Sequence, residues 1–259
     1  MNKEQLYSLL SDKLYESQKR HKAIPPISST HNIDVIDAYQ IQLNNIERNV
    51  LEGRKISGKK IGLTSLPMQE MFNVNEPDYG HIFSDVDFTN KTVDSRLFLQ
   101  PKVEGEIAFI LKEDLVGPNI TVEQVLKKTE YVIAALEIVD SRIEDWKIKL
   151  VDTVADNASF GGYCLGNIKI DPNKTDIRNI KMDLYKNNTL INSGTGEAVL
   201  GNPAYCVAWL ANKMGEFGIT LQKGEVILSG ALSAALVAEK GDTFKAEFAE
   251  LGTVSCSFV

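Results

Sequence analysis

The stretch EYVIAALEIVD, residues 130–140, constrains the fold more than any other. From Tyr131 to Val139 every residue is apolar except Glu137. An apolar run of this kind reads as a strand buried on both faces, so the chain must build a sheet covered on both sides. The same burial makes Glu137 costly. A carboxylate away from water must protonate, pair with a cation or coordinate a metal.

A second strand, PKVEGEIAFI at residues 101–110, carries two more glutamates. Val103, Gly105, Ile107 and Phe109 form one alternating set, and Glu104, Glu106, Ala108 and Ile110 form the other. Successive strand side chains point to opposite faces, so both carboxylates point the same way, with backbones roughly 6.5–7 Å apart. A solvated face is the common fate of glutamates. Here Ala108 and Ile110 continue the face as apolar residues, and Gly105 leaves a gap opposite. Three carboxylates without clustered His or Cys select a hard divalent cation, Mg²⁺ or Mn²⁺. An Arg or Lys partner for Glu137 is the competing reading.

Around these strands the pattern changes along the chain. Leu6, Leu9, Leu10 and Leu14 predict a helix over residues 3–20, and KAIPPISS ends it. A second helix is predicted from Asp34, as N-cap, to Gly53. Residues 1–55 therefore read as a helical section. Residues 56–259 read as a mainly β catalytic part, integrated with the first into one domain. Short apolar runs such as KKIGLTS, GYCLGN and GEVILSG are punctuated by Gly, Asn and Asp. Helices are predicted after Thr121 and after Pro203, the latter closing at Gly218.

Other polar positions are less specific. Lys59 and Lys60 are adjacent in a strand and point to opposite faces. One can be internal, where a lowered pKa would suit acid or base work; the other reads as a solvated charge. Asp78 reads as a turn former in NEPDYGHIF, and LVDTVADNASFGG, residues 150–162, as a loop. Ser159 in that loop is a candidate hydrogen-bond donor. GTGEAVLG lacks the glycine spacing of a dinucleotide fingerprint. His21, His31 and His81 share no ligand spacing, and His81 reads as packed or on the surface.

Charge excludes some partners. With 28 basic and 35 acidic residues the net charge is -7, which disfavours sequence-independent nucleic-acid binding. The N-terminus has no apolar core of a signal peptide, and no window has the length of a membrane span. Three separated cysteines suggest reduced thiols in a cytoplasmic protein.

Taken together, GKKIGLTS, EPDYGHIF, PKVEGEIAFIL, ALEIVDSRIEDWKIKLVDTVADNAS, VLGNPAYCVAWLANK and SGALSAAL resemble one family over nearly the whole chain. It is the 2-keto-4-pentenoate hydratase and 2-oxo-3-enedioate (4-oxalocrotonate) decarboxylase family of the fumarylacetoacetate hydrolase superfamily. The resemblance implies an α+β fold, a mixed β-roll with an N-terminal helical section. It implies Mg²⁺ or Mn²⁺ held by Glu104, Glu106 and Glu137. It selects Lys60 over Lys59 as acid/base, gives Asp78 the water and gives Ser159 a substrate oxygen. The implied reaction adds water to a 2-hydroxy-2,4-dienoate, the enol of a 2-keto-4-enoate from meta-cleavage of aromatic rings, yielding a 4-hydroxy-2-oxo acid. A decarboxylase, an acylpyruvate hydrolase and a catalytically silent pathway scaffold are the alternatives. The partners implied are a small 2-keto acid, further copies of the chain and an associated pathway enzyme. Asn202, where some members have His, and the bulky Phe160 depart from the family pattern.

Overall fold

The computed structural model describes residues 2–259. Two helices come first, α1 (Lys3–Lys19) and α2 (Val35–Leu51). Asn2 and Asp34 cap them, each with a reciprocal side-chain bond from the third helical residue. Helix α2 closes as expected at Gly53, whose φ of 94° lets Arg54 N–H reach Asn49 O at 3.0 Å. Leu10, Leu14, Ala38 and Ile41 pack with Ile143, Val154 and Ala155 from the β-rich part. Gln42 of α2 donates to the carbonyls of Tyr79 and Val154. The helical section therefore shares its core with residues 56–259.

The remaining elements are β1 (Ile56–Gly62), α3 (Leu66–Phe72), β2 (Asp78–Phe83), β3 (Lys102–Leu111), α4 (Val122–Lys128), β4 (Thr129–Val139), α5 (Leu150–Ala155), β5 (Phe160–Leu165), β6 (Lys181–Lys186), β7 (Thr189–Thr195), α6 (Pro203–Gly215), β8 (Val226–Ala231), β9 (Leu236–Val237), β10 (Thr243–Phe248) and β11 (Gly252–Ser257). The larger sheet is mixed, in the order β2-β1-β8-β3-β4-β5, with β9 pairing β3. Only the β1–β8 pair is parallel. The order β11-β10-β6-β7 makes a second sheet. This is the α+β roll expected, with a curled half-barrel sheet.

Strand β4 lies inside the larger sheet, and Val132 to Val139 are all buried. Its neighbour β3 shows why Gly105 is glycine. A Cβ there would stand 2.2 Å from Met182 Sδ of the second sheet. One face of β3 therefore packs Val103, Ile107 and Phe109 into the main core, while Ala108 and Ile110 join a separate cluster on the other face.

Helices α4 and α6 form where expected. Gly218 takes a φ of 70°, and Ile219 N–H reaches Met214 O at 3.0 Å to close α6. Residues 150–162 are not a plain loop. Asp152 accepts from Lys149 N–H and from Ser28, and Val154 and Ala155 pack on α2, so tertiary contacts hold a helix too short to show its period. Helix α3, at 7 residues, is also too short to show its period in the sequence. Among the described residues no helix is long and apolar enough to cross a membrane. Cys164, Cys206 and Cys256 are free and buried.

Candidate active site

The glutamates meet because of register. Glu104 stands directly opposite Glu137 across the β3–β4 ladder, and Glu106 stands opposite Ala135. The three side chains bring carboxylate oxygens within 4.8 Å of one another. Glu106 and Glu137 are buried, while Glu104 opens onto a cleft of about 1150 Å³. Glu106 Oε2 accepts from Gly230 N–H at 2.8 Å. Glu106 Oε1 and both oxygens of Glu137 are buried without a hydrogen-bond partner. Orphaned carboxylate oxygens are expensive unless a cation takes them. An all-oxygen set of this kind fits Mg²⁺ or Mn²⁺ and supplies no soft donor.

Lys60 is the cation within the protein. Its Nζ lies 3.2 Å from Glu137 Oε1, without hydrogen-bond alignment, and donates to Ala158 O at 3.1 Å. One ammonium thus serves both readings of Glu137, pairing it without satisfying its oxygens. Burial pulls the Lys60 pKa down, but Glu137, Asp78, Glu104 and Glu106 outweigh it and hold the group above its usual value. The lowered pKa expected for an internal lysine is therefore not what surrounds this one. Lys59 corrects a second expectation. It is not solvated but buried on the opposite face, where it pairs with Glu225 at 2.9 Å.

Asp78 is not a turn residue. It opens β2, faces Gly62 across the β1–β2 ladder and is buried, with Oδ1 unpartnered. A Cβ on Gly62 would stand 2.2 Å from Asp78 Oδ1 and 3.4 Å from Lys60 Nζ, so the missing side chain makes the room both groups occupy. Burial raises the Asp78 carboxyl, with Lys60 opposing. Burial also pushes Glu104 up to about 7, with Glu137 adding to it. Glu106 and Glu137 are raised too, chiefly by burial. Protein groups alone do not hold three ionised carboxylates comfortably; a dication would.

Ser159 ends three consecutive left-handed residues, Asn157, Ala158 and Ser159, with φ of 54°, 51° and 54°. Its Oγ lies 3.1 Å from Thr153 Oγ1, and no glutamate of the cluster is among its hydrogen-bond partners. The contact from this turn to Lys60 comes from the Ala158 carbonyl. Asn157 holds the turn in place, accepting from His81 N–H at 2.7 Å and donating to His81 O at 2.9 Å. Behind it, the buried Arg142 donates to Asp156 O at 2.6 Å, to Phe160 O and to the Asp156 carboxylate. These supports were missed in the sequence. The only local signal was Asp-Asn before a small residue, a combination tolerant of left-handed backbone. His81 is packed, and burial, with Lys59 adding to it, lowers its pKa to about 3. Asn202 caps α6 through Ala204 N–H, and Phe160 is buried in the small apolar cluster.

Residues 82–259 match the family described as fumarylacetoacetate (FAA) hydrolase C-terminal. The chain belongs to that family. Within it, the chain is 43% identical to 2-hydroxyhexa-2,4-dienoate hydratase of Comamonas testosteroni, over 100% of this chain and 99% of that one. It is 43% identical to 2-keto-4-pentenoate hydratase of Paraburkholderia xenovorans (strain LB400), over 95% and 92% of the two chains. Its structure matches 4-oxalocrotonate decarboxylase from Pseudomonas putida G7, complexed with magnesium and adipate. That match has a TM-score of 0.95 and 31% identity, covering 100% of this chain and 99% of that one. The family is thus the hydratase and decarboxylase group whose motifs the sequence carries.

Proposed function

We propose that this member of the family is a metal-dependent hydro-lyase that adds water to a 2-hydroxy-2,4-dienoate, giving a 4-hydroxy-2-oxo acid. The observation that carries this reading is end-to-end similarity to dienoate hydratases at 43% identity. Glu104, Glu106 and Glu137 would hold Mg²⁺ or Mn²⁺. When bound, that ion supplies Lewis-acid stabilisation of negative charge on the substrate's C2 oxygen. Lys60, kept protonated by the carboxylates around it, gives its Nζ proton to C5 of the dienol and takes up the C2 hydroxyl proton, which leaves the conjugated 2-oxo-3-enoate. The Ala158 carbonyl fixes the direction of that proton. Asp78, with its unpartnered Oδ1, takes the proton of the water that adds at C4 and returns it to C3, which completes the 4-hydroxy-2-oxo acid. Ser159 Oγ, now turned to Thr153, is assigned the substrate oxygen.

The test is incubation with Mg²⁺ and 2-hydroxypenta-2,4-dienoate, followed by NMR. The hydrated 2-oxo acid is expected, and Lys60→Met should lower kcat by about 10²–10⁴-fold. Absence of turnover by the native enzyme sinks the proposal. The similarity to a decarboxylase of the same fold favours a second reading. Release of CO₂ from a 2-oxo-3-enedioate, without hydration, would establish that one. The same proposal extends to a homo-oligomer, which sedimentation of the purified protein tests, located in the cytoplasm, which fractionation of the source cells tests.

A further inference from the structure

The cleft has a charge pattern that the triad does not explain. Lys102 lies two residues before Glu104 on β3 and shares its face. Both line the cleft, where Glu104 is the only acidic residue among the described lining residues and Lys149 is a second lysine. Lys102 Nζ stands 4.1 Å from the centre of the Trp146 ring; it feels the charge of Glu104, but makes no direct salt bridge or hydrogen bond among the described residues. Trp146 is itself held, its Nε1–H donating to Gln100 O at 3.0 Å. A half-buried ammonium is normally paired, or free to move into water. This one is steered by an anchored ring.

The turn beside β3 shows a matching gap. Ala231 pairs with Glu106 and Leu236 with Val103, so the turn between them runs alongside Glu104 and Gly105. Leu232 N–H ties that turn to Gly105 O at 3.0 Å. Ser233 on the turn lines the same cleft, and its Oγ is buried without a partner. An unused hydroxyl donor and an unused cation thus flank the carboxylate that opens onto the cleft.

We propose that Lys102 is a specificity-determining residue that pairs with a carboxylate of the substrate, with Ser233 Oγ donating to the same group, outside the glutamate triad. This rests on the proposed dienoate chemistry and narrows its substrate class to anions read at two places. Lys102 shares the Glu104 face of β3 and lines the cleft, so the partner assigned to it is the far carboxylate of a dicarboxylate dienoate. The C1 carboxylate, present in every substrate of this class, offers the same chemistry.

The experiment compares native enzyme with Lys102→Met, Lys102→Arg and Ser233→Ala. Each receives a monocarboxylate dienoate and a dicarboxylate dienoate with Mg²⁺. Lys102→Met keeps an apolar stem over Trp146 and removes the charge. Its KM for the dicarboxylate should rise at least tenfold with kcat within about threefold of native, and Lys102→Arg should restore most of the loss. Ser233→Ala should raise the same KM by a smaller factor. An equal rise for both substrates assigns the contact to C1; a rise for the dicarboxylate alone assigns it to the far end. Unchanged KM for both, or a fall in kcat that Lys102→Arg does not rescue, overturns the proposal. Calorimetric binding of adipate to native protein and Lys102→Met, with Mg²⁺, decides it separately from turnover. If the native enzyme hydrates nothing, the proposed function fails, yet weaker adipate binding by Lys102→Met still upholds carboxylate recognition, and equal binding still refutes it.

Discussion

Four buried or half-buried carboxylates, Glu104, Glu106, Glu137 and Asp78, surround one fully buried ammonium, Lys60, with Lys102 acting on Glu104 alone, and that imbalance governs the behaviour of individual residues. Glu106→Gln removes one charge but keeps an oxygen to accept from Gly230 N–H. The variant should melt no lower than native in chelator, yet lose the Mg²⁺-dependent rise in Tm together with activity. Thermal melts with and without Mg²⁺ check this. Part of the pH dependence comes from Glu104, beside Glu106, Glu137 and Asp78, whose carboxyls are raised as well. The Glu104 pKa is raised to about 7 from 4.5, so the folded metal-free protein binds more protons than the unfolded chain in that window. Stability of the metal-free protein should therefore fall as pH rises from about 4.5 to 7, and Mg²⁺ should offset the fall. Because the ion needs the ionised group, its apparent affinity should drop by up to about tenfold per pH unit below 7. Titration calorimetry in buffers of different ionisation heat reads both the affinity and the protons released.

At the scale of elements, three close approaches build the site. Strands β3 and β4 set Glu104 against Glu137; β1 and β2 set Lys60 beside Asp78 over Gly62; the 157–159 turn delivers the Ala158 carbonyl. Alternation along PKVEGEIAFI was enough to place Glu104 and Glu106 on one face. It carried no information on which residue of another strand would lie opposite. Helix α5 and the left-handed turn were illegible because their stability comes from α2, Ser28 and Arg142, all distant in sequence. Gly62→Ala tests the β1–β2 approach. The added methyl collides with Asp78, so activity should fall more than tenfold, while overpacking costs about 1–3 kcal/mol of stability. Loss of stability without loss of activity would separate Asp78 from the chemistry.

For the whole molecule, the shared core of α1, α2 and α5 decides cooperativity. We propose that residues 1–55 and 56–259 unfold as one unit. The cleft supports this, since Ser28, His31 and Ile33 line it together with Ala231 and Leu232. Differential scanning calorimetry should give one transition with equal calorimetric and van't Hoff enthalpies. Two resolved transitions would divide the chain near residue 55.

Periodicity and burial cost, both local, already made EYVIAALEIVD a covered strand and PKVEGEIAFI a strand with two carboxylates on one face. The resemblance added the role of Lys60. The tertiary structure separated the two lysines. Lys59 turns to Glu225 on the far face, while Lys60 meets Glu137. Which face a residue takes is set by the pleat of its own strand. Which carboxylate it meets there is set by strand order and register, and these exist only once segments far apart in the chain have packed.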